Sequence, residues 1–168
     1  MDELFGTGKK KKGVNLVFIG GVAVAVAIVA GAIWMLSSRP SIDDQTAKIL
    51  EGSFREGSPE FAAITKDILI STDENTVESP MGLGTISMFI KGKIYNKGTK
   101  NITTLEVNVG VVTQKNEVLR EKKIVVVPIQ QASLDAGETI PITLTLDGFD
   151  RKDDRANIRW RVTAIKAE

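Results

Sequence analysis

Thr139-Ile140-Pro141-Ile142-Thr143-Leu144-Thr145-Leu146 alternates without a break, with Ile140, Ile142, Leu144 and Leu146 on one side and Thr139, Pro141, Thr143 and Thr145 on the other. Successive side chains of a strand leave on opposite faces, so this octet is extended, with one apolar and one solvated face. A helix built from the same residues would scatter both sets around its circumference. Pro141 has no amide hydrogen to donate, which places its strand at a sheet edge or at a bulge.

The same period runs outward in both directions. Ile68 and Ile70 mark a short strand. Thr85 to Tyr95 alternates Ile86, Met88, Ile90 and Ile94 with more polar neighbours, and Thr104 to Thr113 sets Leu105, Val107, Val109 and Val111 on one face. Val118 to Ile129 is rich in strand formers, and its run Ile124-Val125-Val126-Val127 predicts burial on both faces or a bulge. On the far side, Ile158, Trp160, Val162 and Ala164 alternate with Arg159, Arg161 and Thr163. Core packing is therefore preferred for Trp160, while Arg159 and Arg161 project outward as a possible surface contact. The turns at Asn96-Lys97-Gly98, Gln114-Lys115-Asn116-Glu117 and Asp135-Ala136-Gly137 use residues that tolerate positive φ or bond their own backbone. About six to seven short strands in this spacing predict a mainly β domain, an immunoglobulin-like antiparallel β-sandwich.

The order Gly92-Lys93-Ile94-Tyr95-Asn96-Lys97-Gly98, then Val107-x-Val109, a polar turn at 114–117, and Leu134-Asp135-Ala136-Gly137-Glu138 resembles the FxLYD-like bacterial sandwich domains and related membrane-anchored families. The resemblance spans residues 84 to about 147. It departs from the usual pattern at Asn116, where glycine is common, and at Ala136, often proline. It implies an immunoglobulin-like fold in an exported domain and brings no catalytic residues with it.

Val14 to Leu36 has a different character: 23 residues with Asn15 as the one clearly polar side chain. A helix rises about 1.5 Å per residue, so this run matches the roughly 30 Å hydrocarbon core of a bilayer. Lys9, Lys10, Lys11 and Lys12 precede it, while Trp34 and Arg39-Pro40 close it. These flanks anchor a single span with its N-terminus cytoplasmic and its C-terminal domain outside. The chain then divides into a short cytoplasmic tail (1–13), a transmembrane helix (14–37), a juxtamembrane stalk (38–63) and an exported β-sandwich (64–168). The expected location is the cytoplasmic (inner) membrane, with the domain periplasmic or extracellular. A cleaved signal peptide competes, since Ala30-Gly31-Ala32 fits the small-x-small cleavage pattern, but the apolar run continues past it. Within the span Gly20, Ala23, Ala27 and Gly31 lie on one face, a stripe suited to close contact with another helix.

In the stalk, Ser41-Ile42-Asp43-Asp44 reads as a helix start, running to Leu50. Ser58-Pro59 reads as one more helical turn through Phe61 and Ile64.

The charge total, 22 basic against 21 acidic residues, gives +1 and no basic excess suited to nucleic acid. No cysteine or histidine is present, which excludes disulfides, thiolate chemistry and imidazole catalysis. Asp147, Asp150, Asp153 and Asp154 lack the spacing of a calcium loop and alternate with basic residues. Gly82-Leu83-Gly84 has no following lysine to make a phosphate loop. Asn101-Ile102-Thr103 is a glycosylation sequon, relevant only in a eukaryotic secretory route. No cofactor, metal or catalytic residue is expected. The sequence points to a non-catalytic accessory or scaffolding subunit in contact with membrane lipid and other transmembrane helices, in a multisubunit membrane complex or homo-oligomer. A membrane-anchored module that binds an envelope polymer or small molecule is the alternative.

Overall fold

The computed structural model of the chain describes residues 16–37 and 42–168. Helix α1 (Leu16–Ser37) carries no charged residue. Its segment Ile19–Ser37 has a mean hydropathy of 2.4 and none of it is buried within the protein. Length and composition make it able to cross a membrane.

Asp43–Glu168 forms a compact unit of its own. It opens with α2 (Ile42–Ile49), the two-residue strand β1 (Phe54–Arg55) and α3 (Pro59–Thr65). Helix α3 starts where expected: Pro59 follows Ser58, whose Oγ accepts the amide hydrogen of Phe61 at 3.2 Å. Seven further strands follow, β2 (Ile68–Thr72), β3 (Val77–Pro80), β4 (Thr85–Asn96), β5 (Ile102–Val112), β6 (Val118–Val127), β7 (Thr139–Asp150) and β8 (Asn157–Ala167).

Two antiparallel sheets result. One has the order β1-β8-β5-β6; in the other, β4 pairs β2 and β3 along one edge and β7 along the opposite edge. Strands β2 and β3 are one edge strand interrupted at residues 73–76, where the Asp73 carboxylate accepts the amide hydrogen of Asn75 at 2.8 Å. A single apolar core joins the sheets through Ile90, Ile94, Leu105, Val107, Val109, Ile140, Ile142 and Phe149, all essentially inaccessible to solvent. The expected sandwich is therefore present, with the strand count raised by the broken edge and by β1.

Several local expectations resolve on this frame. The octet at 139–146 lies within β7, an edge strand that pairs β4 alone, so Pro141 sacrifices no ladder bond on a second side. The valine run in β6 contains a bulge: Leu105 pairs Val127 while Glu106 pairs Val125, and both Val126 and Val127 reach the core. The alternation in β8 does not continue through Ala164 as the sequence suggested. Val107 pairs Val162 and Glu106 pairs Ala164, so Thr163 is extra, and Ile165 occupies the next core position. Within the 38–63 segment assigned to a stalk, Phe54 and Phe61 pack on the core, so the part from Asp43 on belongs to the domain.

Candidate functional site

Two of the four sequence segments singled out above, 92–98 and 134–138, meet around Asn96, the last residue of β4, which is buried. Its side-chain amide donates to the carbonyls of Lys100 (2.8 Å), Asp135 (3.1 Å) and Leu134 (3.2 Å), and its Oδ1 accepts the Gly98 amide hydrogen at 3.0 Å. The backbone joins in: Asn96 donates to Glu138 at 3.0 Å, and Gly137, at φ +77°, donates to Asn96 at 2.8 Å. Glu138 folds back so that its carboxylate accepts the Asp135 amide hydrogen at 2.8 Å. The amide nitrogen and the amide oxygen of Asn96 are thus both engaged by backbone groups of the fold. A small adjoining cavity of about 190 Å³ borders Asn96, Gly98, Lys66 and Lys100. At the 114–117 turn Asn116 takes φ +65°, a conformation asparagine adopts readily.

The acidic loop is engaged in the same way. Asp150 Oδ1 accepts from the Lys152 amide (2.9 Å), Asp153 Oδ2 from Asp150 (2.7 Å) and Asp154 Oδ2 from Gln114 (3.1 Å). Arg155 closes the loop with a forked contact to Glu78, Nε–Oε1 2.9 Å and Nη2–Oε2 3.1 Å, and donates to the Asp150 carbonyl at 2.8 Å. The bond to Glu78 stabilises the guanidinium and raises its pKa above the ordinary arginine value. Among the described residues no three acidic side chains are grouped to hold a metal ion.

Of the residues singled out from sequence, Gly20, Ala23, Ala27 and Gly31 lie on exposed α1, and steps of three and four residues keep them on one face. Trp34 is 74% exposed near the end of α1. Lys9, Lys10, Lys11, Lys12 and Arg39 lie outside the described residues. Arg159 and Arg161 stand exposed on the outer face of the β8 sheet, paired across the ladder with Gly110 and Asn108. Arg159 Nη2 donates to Asn116 Oδ1 at 3.0 Å, and Arg161 lies 3.9 Å from Glu56. Beside them, Asn108 donates to Glu121 at 2.8 Å, while the buried Glu106 carboxylate accepts the Thr163 hydroxyl.

Trp160 turns inward, as expected. Its ring lies against Gly92, where a Cβ would come within 2.9 Å of Trp160 Cζ2 and 2.7 Å of the Ser71 carbonyl. Its indole nitrogen donates to Thr72 Oγ1 at 2.8 Å, bridging the two sheets.

One feature escaped the sequence reading. A groove of about 300 Å³ opens between α3, β2 and β8, lined by Glu56, Phe61, Ile68, Ile70, Trp160 and Val162 among others. Its walls come from segments separated by up to about a hundred residues; of its lining, the sequence singled out Arg161 as a surface contact and assigned Trp160 to the core.

A scan against protein-family models finds no match, and a search of curated proteins finds none. Two solved structures are similar in part. A structural genomics target designated SoR45 aligns over 62% of this chain and 86% of its own, with 8% identity and a TM-score of 0.40. A protein described as ApaA from Bordetella pertussis aligns over 61% of this chain and 90% of its own, with 14% identity and a TM-score of 0.37. Both scores are too low for either likeness to bear on function.

Proposed function

We propose that the chain is a non-catalytic, single-pass membrane protein whose exported β-sandwich makes protein–protein contacts, as an accessory or scaffolding subunit of a larger membrane complex. The observation that carries this reading is the occurrence, in one chain, of an apolar helix exposed over Ile19–Ser37 and a β unit that has a closed core of its own. An apolar helix of this length calls for lipid or other helices around it. The small-residue stripe then allows a neighbouring helix to approach closely. The lysines before the span favour a cytoplasmic N-terminus in the inner membrane, with the sandwich periplasmic or extracellular. The domain's polar side chains support contact rather than chemistry, since Asn96 and the acidic loop are committed to backbone groups.

Extraction of the full chain in a mild detergent, followed by affinity capture and mass spectrometry, is the test. Recovery of a stable, stoichiometric membrane partner is expected. A chain that extracts as a monomer with nothing bound would sink the accessory-subunit role.

A further inference from the structure

The edges of the two sheets are treated unequally. On β7 the Gln130 amide group acts as a substitute strand: its Nε2 donates to the Thr143 carbonyl at 2.9 Å and its Oε1 accepts the Thr143 amide hydrogen at 3.1 Å. Arg120 donates to the Gly148 carbonyl at 2.8 Å, and Lys122 reaches that of Thr145 at 3.5 Å. The β6 edge carries the unbroken charged run Arg120-Glu121-Lys122-Lys123. The β2–β3 edge is broken by the turn at Asp73 and ends in Pro80. Each of these is a known way to stop a further strand from adding.

Strand β8 carries charge of its own in Arg159 and Arg161, but among the described residues no substitute strand, turn or proline interrupts its free side. It pairs β5 along its length, but on its other side β1 covers Ala164 and Ile165 alone. Among the described residues, no strand pairs that side from Asn157 to Thr163. The open stretch is bordered on its inner side by the groove of Phe61, Ile70, Trp160 and Val162, and on its outer side by Arg159 and by Arg161, which also lines the groove.

Building on the contact role proposed above, we infer that the β8 edge is a strand-addition site for an extended peptide segment of a partner protein in which acidic and apolar residues alternate. Added antiparallel in line with β1, such a strand bonds the open backbone of β8. One set of its side chains enters the groove beside Trp160, and the other set meets the two arginines. An acidic side chain already reaches this edge: the carboxylate of Glu56, just beyond β1, lies 3.9 Å from Arg161. The same charges disfavour a second copy of the chain as occupant. Antiparallel β8–β8 pairing centred on Trp160 sets each Arg159 opposite an Arg161, and like charges directly opposite are destabilising.

The experiment uses the full chain in detergent micelles and a fluorescent peptide of about eight residues alternating glutamate with valine, long enough to span the open edge. Fluorescence anisotropy should show this peptide binding roughly tenfold or more tightly than its lysine–valine counterpart, a difference of about 1.4 kcal/mol. Hydrogen exchange should slow at residues 157–163 when it binds. The double variant Arg159→Glu, Arg161→Glu should reverse the preference, binding the lysine peptide better, which a misfolded chain would not do. Equal binding of the two peptides, or binding without protection at 157–163, overturns the inference. So does a co-purified partner that remains bound to the double variant. These results leave the accessory-subunit role standing, because that role falls only with the capture experiment on the unaltered chain.

Discussion

Gly92 shows what a single side-chain position contributes to this fold. Its missing Cβ leaves the space into which Trp160 packs, under the Ser71 carbonyl. Gly92→Ala is expected to destabilise the domain by about 1–3 kcal/mol through overpacking. Because the clash with Trp160 involves the outer part of the indole, Trp160→Phe should partly relieve it. Thermal unfolding of the two single variants and the double variant should give a coupling of about 0.5–1 kcal/mol, and strict additivity would refute the contact. Asn96 has the complementary role, giving a buried polar group to three carbonyls and one amide. Asn96→Ala is expected to cost about 2–3 kcal/mol, since it leaves buried backbone groups without partners. Asn96→Asp should cost no less, because a carboxylate oxygen would face the same carbonyls, and chemical denaturation of both variants checks this. Gly92, Asn96 and Gly98 stand out in the sequence as motif residues, yet the partners that explain them are as distant as Trp160 and Leu134. Spacing along the chain carries no record of those contacts.

At the level of the elements, the strands are read from their period and their edges from side chains that act across loops. The octet at 139–146 predicts a half-buried strand, and β7 is one. What the period omits is the bulges, because one inserted residue exchanges the two faces. Thr163 does so in β8 and moves the core position from Ala164 to Ile165. Gln130 is invisible to such a reading, being one polar residue in a loop. Gln130→Ala should expose the backbone of Thr143, lower stability by about 1 kcal/mol and increase concentration-dependent association in sedimentation velocity experiments. An unchanged sedimentation profile would show that β7 is guarded by other means. The interruption of the β2–β3 edge has a pH signature. The amide and side-chain hydrogen bonds from Asn75 hold the Asp73 carboxyl below its ordinary value of 3.8. Its contribution to stability is thus complete above the unfolded value and is lost as pH falls through the lowered native one. A carboxyl titration followed by NMR should find the Asp73 midpoint below 3.8, and Asn75→Ala should move it upward.

For the whole molecule, two units follow different rules. The β unit closes around its own core, whereas α1 leaves its described apolar side chains uncovered. In the proposed membrane setting, association would run through the small-residue face. Ala27→Leu with Gly31→Leu should then weaken helix–helix proximity measured by energy transfer between labelled chains or partners in bilayers. The same substitutions on the opposite face, at Ala25 and Val29, should leave it unchanged. Equal effects from both pairs would show that the stripe has no special role.

The sequence by itself determined the apolar helix, the β class, the extended segments and the absence of thiol and imidazole chemistry. These depend on residue type and short-range period, which are present in any one stretch of chain. Tertiary structure alone decided the rest. It packed Phe54 and Phe61 into the domain, placed the bulges and brought Trp160 over Gly92. It also left β8 open between a groove and two arginines. Each of these results from contacts between segments far apart in the chain, where closing a loop and filling a core select the partner, and no local period encodes that selection.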